Sequence, residues 1–364
     1  MERLLSDVDQ KKNVNIELLR CIACYFVIII HTWGTFRMEG GSFHPEVFVG
    51  GVVARCAVPI FFMITGYVYS NKKELLYKYK NFIYRILLPV LLMTFFTAVV
   101  LARGIHFFLD ESQEYVSLGM YLKMILTGNM SNTYLSFHFW YVEELITFYL
   151  LLPILQFVLD NTDKACKIRR FYLVIGGIAY FLIPLIEKIT GWENINICMP
   201  EGLFVIWYIL FGFELAQHKL QKIGNIGILC HWACIIAMSL LEYFFEYVAT
   251  GDIHHGFSSN QSLFILGSAA GLFVFIITRK IPERWHKGIC SVGKSTLGIY
   301  IVHVVVYSVL YQVNITKLMD YVPVLMFCII YSTVIFLVSY VGIKILDILL
   351  NMVKKITKRE KCNV

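Results

Sequence analysis

The chain has 364 residues, of which 58% are hydrophobic and only 16% charged, with a formal net charge of +7. Soluble globular domains carry about a quarter charged residues, so this composition excludes that class and indicates a polytopic membrane protein. Nucleic acid is excluded as a partner as well, because the cations lie in short segments between apolar runs and not on one basic patch.

Residues 1–13 are polar and mixed in charge, and the apolar run behind them has no small-residue cleavage site, so the first hydrophobic segment is expected to be retained. Ten runs reach the length of about 20 residues that a span requires: 14–35, 47–70, 81–102, 138–160, 171–188, 200–217, 226–247, 260–278, 294–312 and 321–346. Of the Lys and Arg residues between runs, 23 fall on the side of the N-terminus and five (Arg37, Arg103, Lys123, Lys188 and Lys317) on the other. That imbalance predicts both termini in the cytoplasm. The expected fold is all-α, a single membrane-embedded bundle of about ten transmembrane helices over 1–364, with a short segment 1–13 and a basic tail 350–364. Segment 103–137, outside, holds an amphipathic piece near Tyr115–Leu126, read as a lid or interfacial helix. It is too short for an enzyme domain, so any chemistry must belong to the bundle. Most of the ten cysteines lie in apolar runs, with Cys198 in a loop, so no disulfide framework is implied. Cys21-x-x-Cys24 lacks the second ligand pair of a zinc site, and no metal is expected.

The first span, NIELLRCIACYFVIIIHTW, carries Glu17, Arg20 and His31. An ionised side chain inside a bilayer costs about 2.5–3.5 kcal/mol even on the lenient insertion scale, so these residues need partners or work. Arg20 and His31 are eleven residues apart, which returns to nearly one helix face about 16.5 Å further along, and Glu17 shares that face one turn before Arg20. In the second span Arg55 stands just ahead of Pro59, whose kink frees carbonyls that are tolerated at depth only beside protein or a wet cavity. The bland alternative pairs Arg55 with Glu143 or Glu144 to hold helices together. Arg85, at the edge of the third span and level with Arg20, either completes a phosphate pocket or is a topology signal. In the fourth span His138 and Trp140 fall where an aromatic belt is expected, and Glu144 shares a face with Trp140. The adjacent Glu143 and Glu144 cannot both face lipid cheaply, so one should meet Arg55, His31 or a substrate. His303, nine residues into the ninth span, is either a hydrogen-bonded packing residue or part of the His31 cavity. Gly288–Ser295, GICSVGKS, matches a phosphate-loop pattern but follows no predicted strand and is treated as chance.

Cations near the cytoplasmic surface and a histidine deep on one stripe suit a ligand that is anionic at one end and reactive at the other, as acyl-coenzyme A is. A neutral His31 could take the proton of an acceptor hydroxyl as it attacks the thioester. Four blocks carry a resemblance: Glu17-x-x-Arg20 with His31; AVPIFFMITGY from Ala57 to Tyr67; His138-Phe-Trp140 with YLLLP from Tyr149 to Pro153; and STLGIYIVH from Ser295 to His303. In this order, from end to end, they resemble the acyltransferase-3 family of integral-membrane O-acyltransferases. Glu17 stands where Asp is usual and Thr65 where Ser is usual, each keeping the chemical group.

The resemblance implies that Arg20 and His31 match the family's Arg-x10-His pair, that acetyl-CoA is the usual cytoplasmic donor, and that sugar hydroxyls of envelope polysaccharides are common acceptors. Some relatives append an esterase-like or racemase domain, whereas here only a basic tail follows the last run, so the reaction is expected in the bundle or with a separate partner. The expected function is O-acyl transfer, most simply O-acetyl transfer, at the plasma (inner) membrane. His31 is the expected base, with Arg20 and Glu144 as its catalytic partners. Glu17, Arg55, Arg85, Trp140, Glu143 and His303 are expected to bind substrate. No cofactor is held permanently; acetyl-CoA or another acyl-CoA is a donor substrate, and the other partners are a saccharide or lipid-linked acceptor and the bilayer, with homo-oligomerisation left open. The rival is a transporter or flippase of a small polar or lipid-linked substrate, whose midplane sites also use kinked helices and buried charges, but which favours an inverted repeat that is not visible here.

Overall fold

The computed structural model describes residues 2–38, 41–69, 74–96, 117–131, 136–191, 200, 202–313 and 315–362. Cys198 and most of segment 103–137 lie outside them. In chain order the principal helices are α1 (Glu2–Phe36), α2 (Pro45–Ala54), α3 (Ala57–Tyr67), α4 (Leu75–Phe82), α5 (Leu88–Phe95), α6 (Leu118–Thr127), α7 (Trp140–Leu155), α8 (Asp163–Gly177), α9 (Ile183–Thr190), α10 (Leu203–Ala216), α11 (Gly224–Glu242), α12 (Leu263–Ile277), α13 (Glu283–Gly293), α14 (Thr296–Gln312) and α15 (Val324–Cys362). No strand occurs among the described residues. Gly288–Ser295 runs from α13 to the start of α14 across a 58° bend between the two helices, so the phosphate-loop match has no strand to rest on.

Among the described residues, six helical segments are long and apolar enough to cross a membrane, and a seventh if α13 and α14 form one bent span. This is a multi-pass arrangement, with fewer qualifying spans than the ten apolar runs of the sequence. The difference has identifiable sources. Runs 200–217 and 260–278 fold as α10 and α12, of 14 and 15 residues, short of the roughly 20 that a straight span needs. Run 81–102 leaves the described residues after Phe96.

Proline shapes several of these helices. Pro59 cannot donate to the carbonyl of Arg55 and its ring crowds that carbonyl, and the second apolar run breaks at Arg55 and Cys56, between α2 and α3. Wider π turns at Ile83–Leu87 and Ile178–Leu182 precede Pro89 and Pro184, absorbing the missing hydrogen bond without ending the helix. A third π turn, Tyr243–Tyr247, contains no proline and follows Glu242 at the end of α11.

Helix α1 is the central post, packed against α2, α3, α12, α13, α14 and α15. Its rotation is fixed by polar contacts. Asn15 donates to the carbonyls of Ile276 and Arg279 (2.7 and 2.9 Å), satisfying groups left open at the end of α12. Trp33 donates to Ser332 (2.8 Å), Thr32 bonds the same hydroxyl (2.9 Å), and Tyr25 meets Thr333 (2.9 Å), all on α15. Where apolar surface gives no drive for association, as in lipid, such bonds and close packing hold helices together. Close packing is tightest between α3 and α10. A side chain at Gly66 would collide with the backbone at Ile209, and one at Gly212 with the backbone at Met63. The main apolar cluster fills the space between α1, α3, α7, α10 and α12, with Leu19, Phe62, Phe148 and Phe273 fully enclosed. A second cluster joins the later half of α1 to α14 and α15.

Candidate active site

Where α1 begins to be buried, Glu17 accepts from Arg20 one turn on (2.5 Å) and holds the guanidinium at the edge of a cavity of about 720 Å³. That volume lies within the range of small-molecule sites. Arg20, Lys78, Arg85 and Lys294 border it, drawn from α1, α4, the first π turn and the α13–α14 bend, and no carboxylate is among the described residues that line it. Lys78 donates to Tyr69 (2.7 Å) and lies over that ring, 4.0 Å from its centroid. Burial holds the Lys78 ammonium below its ordinary pKa. Gly293 faces Glu17 so closely that any side chain there would displace the carboxylate. The second Glu17 oxygen is buried with no partner among the described residues.

The inner wall of the cavity is aromatic. Tyr141 and Tyr300 line it, their rings 5.9 Å apart. Behind Tyr300 stand three imidazoles. His138 and His303 have centroids 4.9 Å apart, His31 stacks on His303 at 5.4 Å, and His31 is 6.4 Å from His138. The Tyr300 hydroxyl donates to the backbone carbonyl of His138, and its ring centroid is 5.2 Å from the His138 imidazole. His303 Nδ1 is 2.7 Å from the Tyr300 carbonyl. A carbonyl only accepts, so Nδ1 carries the proton and Nε2 keeps its lone pair. His138 and His303 are each only 1% exposed, yet Nε2 of His303 and both ring nitrogens of His138 have no partner among the described residues. Buried polar atoms are nearly always satisfied, so unsatisfied nitrogens clustered at the end of a cavity mark a place where a ligand or a proton is received. Among the described residues no group of His, Cys, Asp and Glu is arranged to hold a metal.

The residues singled out in the sequence are distributed as follows. Arg20, Glu17 and Arg85 gather at the large cavity, while His31 and His303 gather in the imidazole cluster, one aromatic layer away. Glu143 accepts from the backbone and hydroxyl of Ser131 (2.7 and 3.0 Å), tying down the segment before α7. Glu144 lies beside Gly202 at the start of α10 and is not among the groups around His31. Trp140 opens α7, half-buried, and lines neither cavity described here. Arg55 makes no ion pair with Glu143 or Glu144. It lies apart from Arg20, on a second pocket of about 20 Å³ bordered by Trp33, Arg37 and His255.

Sequence reasoning did not single out His138, Tyr141, Tyr300, Lys78 or Lys294 as site residues. His138 falls where an aromatic belt is expected, and the structure instead encloses it, together with Phe139, inside the bundle. Tyr300 stands three residues before His303, hence on the same helical face, which was a usable signal.

No solved structure matches the chain. It is similar to an amino-acid racemase of Enterococcus faecalis, 24% identical over 365 residues, a match covering 94% of this chain and 46% of the relative. The chain thus spans about half the length of the curated relative it matches. A family model described as an acyltransferase domain matches residues 13–343, nearly the whole chain, and takes in the Arg20–His31 pair, the α2–α3 break and the Tyr300–His303 turn together. On that match the chain belongs to the acyltransferase-3 family.

Proposed function

We propose that the protein is a membrane O-acyltransferase, moving an acyl group, most simply acetyl, from acyl-coenzyme A to a hydroxyl of a cell-envelope saccharide or related acceptor. The reading places it in the plasma membrane with both termini and the large cavity on the cytoplasmic side. One observation carries it: a large cavity that, among the described residues, is bordered by four cations and no carboxylate ends on a tyrosine whose ring touches two buried imidazoles with unspent nitrogens. Arg20, Arg85, Lys78 and Lys294 supply charge-assisted donors for coenzyme phosphates, Arg20 oriented by Glu17. The pantetheine arm then lies along Tyr141 and Tyr300, the aromatic layer beside the imidazole cluster of His31.

His31 takes the proton of the acceptor hydroxyl as its oxygen attacks the thioester carbonyl. The tetrahedral intermediate collapses with cleavage of the C–S bond, and the imidazolium returns its proton to the coenzyme thiolate. His303, its tautomer set by the Tyr300 carbonyl, stacks on His31 and limits the directions in which the base can turn. General-base help of this kind contributes about 10²- to 10⁴-fold.

The test is turnover of radiolabelled acetyl-CoA by the purified full chain in lipid nanodiscs. Release of free coenzyme is expected, and His31→Ala should lower kcat by about 10²- to 10⁴-fold with donor binding retained. A transporter would leave the thioester intact, and intact thioester in the presence of a broad acceptor panel would end this reading.

A further inference from the structure

The small pocket at the far end of the histidine cluster holds an arginine with nothing to bind. Arg55 makes no hydrogen bond and no ion pair with any described residue, although Glu242, Glu246 and Arg37 all act on it electrostatically. Leaving a guanidinium partly desolvated and unpartnered is costly, so its five donors should have an intended acceptor. The glutamates that could have paired with it are mostly engaged elsewhere, although one Glu242 oxygen is buried without a hydrogen bond among the described residues. Glu246 accepts from the backbone N–H of His254 and of Gly256, each at 2.7 Å. Glu242 accepts from the N–H of Ser258 at 2.8 Å and faces His255 Nδ1 at 3.4 Å. The two carboxylates, four residues apart across the third π turn, brace the loop after α11 through three of their four oxygens.

Arg37 is committed too. It donates to His255 Nε2 (2.5 Å) and to the Ile253 carbonyl (2.9 Å), with Asp252 at 3.4 Å. Because the always-protonated Arg37 can only donate, His255 Nε2 is the accepting nitrogen and Nδ1–H points to Glu242 and Ser258. His255 sits at φ 58°, a conformation costly for a non-glycine residue and held here by contacts on both ring nitrogens. The brace thus engages the charged groups around Arg55, leaving one buried Glu242 oxygen without a hydrogen bond among the described residues and Arg55 with donors to offer.

Its place beside α1 gives that offer a use. The pocket is bordered by Ile30, Trp33 and Gly34, on either side of His31, and Arg55 acts electrostatically on His31 as well. The large cavity ends on Tyr300, whose ring lies against His138 and His303 of the same cluster. We infer that Arg55 recognises the acceptor, and that the acceptor carries a compact anionic group, a carboxylate or a phosphate, next to the hydroxyl that is acylated. This rests on the acyl-transfer reading above. A pocket of about 20 Å³ holds about one water-sized group, so it takes a single oxygen of the anionic group on Arg55 and leaves the rest of the acceptor, with its hydroxyl, outside it.

The experiment compares matched acceptors with the full chain in nanodiscs and acetyl-CoA as donor: lactate against lactamide, and glycerol 3-phosphate against glycerol. The charged member of at least one pair should give a kcat/KM about tenfold or more above its neutral twin, the size expected of a charge-assisted contact. The lactate pair reports a carboxylate site and the glycerol pair a phosphate site. Arg55→Gln should reduce the ratio to within about threefold. Gly51 borders the pocket and has open space where a side chain would project, so Gly51→Asp should reduce the ratio in the same way while Gly51→Asn keeps it. A wild-type ratio near one, or a ratio that survives both Arg55→Gln and Gly51→Asp, overturns the inference. If wild type does not consume acetyl-CoA, the acyl-transfer reading fails separately, and calorimetry with lactate and glycerol 3-phosphate decides the anion site alone. Binding that Arg55→Gln abolishes supports it, and binding of neither probe overturns it.

Discussion

At one end of the histidine cluster, Arg20, Lys78, Arg85 and Lys294 border about 720 Å³ with no carboxylate among the described residues of the lining. At the other, Arg37 and Arg55 border about 20 Å³ beside two glutamates. The same kind of side chain is handled in opposite ways. In the wide cavity one cation is steadied by one acid, Arg20 by Glu17, and Arg85 and Lys294 are exposed, so a long polyanion can be met by several independent contacts. In the narrow pocket every cation but one is tied into a loop, and geometry is fixed before a ligand arrives. Affinity for a flexible donor needs the first arrangement; discrimination among small acceptors needs the second.

The strongest way to break this contrast is to remove Arg20. Arg20→Ala takes away charge-assisted hydrogen bonds, each worth about 1.5–3 kcal/mol, so donor KM should rise by about ten- to a hundredfold. The acceptor preference should keep its rank order, because Arg20 borders only the wide cavity. Steady-state kinetics with varied acetyl-CoA at saturating acceptor would check both. An equal loss for donor and acceptor would erase the distinction between the two ends.

A smaller effect is expected at the wall between them. Tyr300→Phe removes the hydroxyl that donates to the His138 carbonyl, in a buried site. A net loss of about 0.5–1.5 kcal/mol in positioning corresponds to a two- to tenfold fall in kcat. Donor KM should stay within about twofold, since the phosphates bind at the other end of the cavity. A change in donor KM with kcat intact would place Tyr300 in coenzyme binding instead.

How much of this was legible beforehand follows from what each feature depends on. The spacing of Arg20 and His31 fixes their shared stripe through helical geometry alone, and in the fold Arg20 borders the wide cavity while His31 stacks on His303 behind Tyr300. The break at Arg55 follows from Pro59 by local sterics. The destination of Arg55 does not, because it depends on which helices surround α2. Glu143 and Glu144 looked like its natural partners by charge, yet the fold supplies Glu242 and Glu246 from α11 and the π turn beyond it, and spends them on a loop. His138 carried no periodicity signal, since it lies in a short turn before α7, and its role as a neighbour of His31 exists only in three dimensions. The count of spans suffered from a similar blindness. Apolar length can be read from sequence, but where a helix such as α10 begins cannot.

The finest test of the wide cavity concerns Lys78. Burial holds its ammonium below the ordinary value, which for lysine is about 10.4. Only the protonated form attracts phosphate, so as pH rises the charge is lost earlier than from an exposed lysine. The kcat/KM for acetyl-CoA should therefore fall on an alkaline limb lying below about pH 10.4, since that ratio reports groups of the free enzyme. Lys78→Arg keeps the charge at all accessible pH values and should move the limb upward or remove it. Arginine lacks the compact geometry with which Lys78 rests on Tyr69, so a modest change in the plateau is expected alongside. An alkaline limb unmoved by Lys78→Arg would mean that the loss belongs to another group, and that Lys78 borders the wide cavity without serving it.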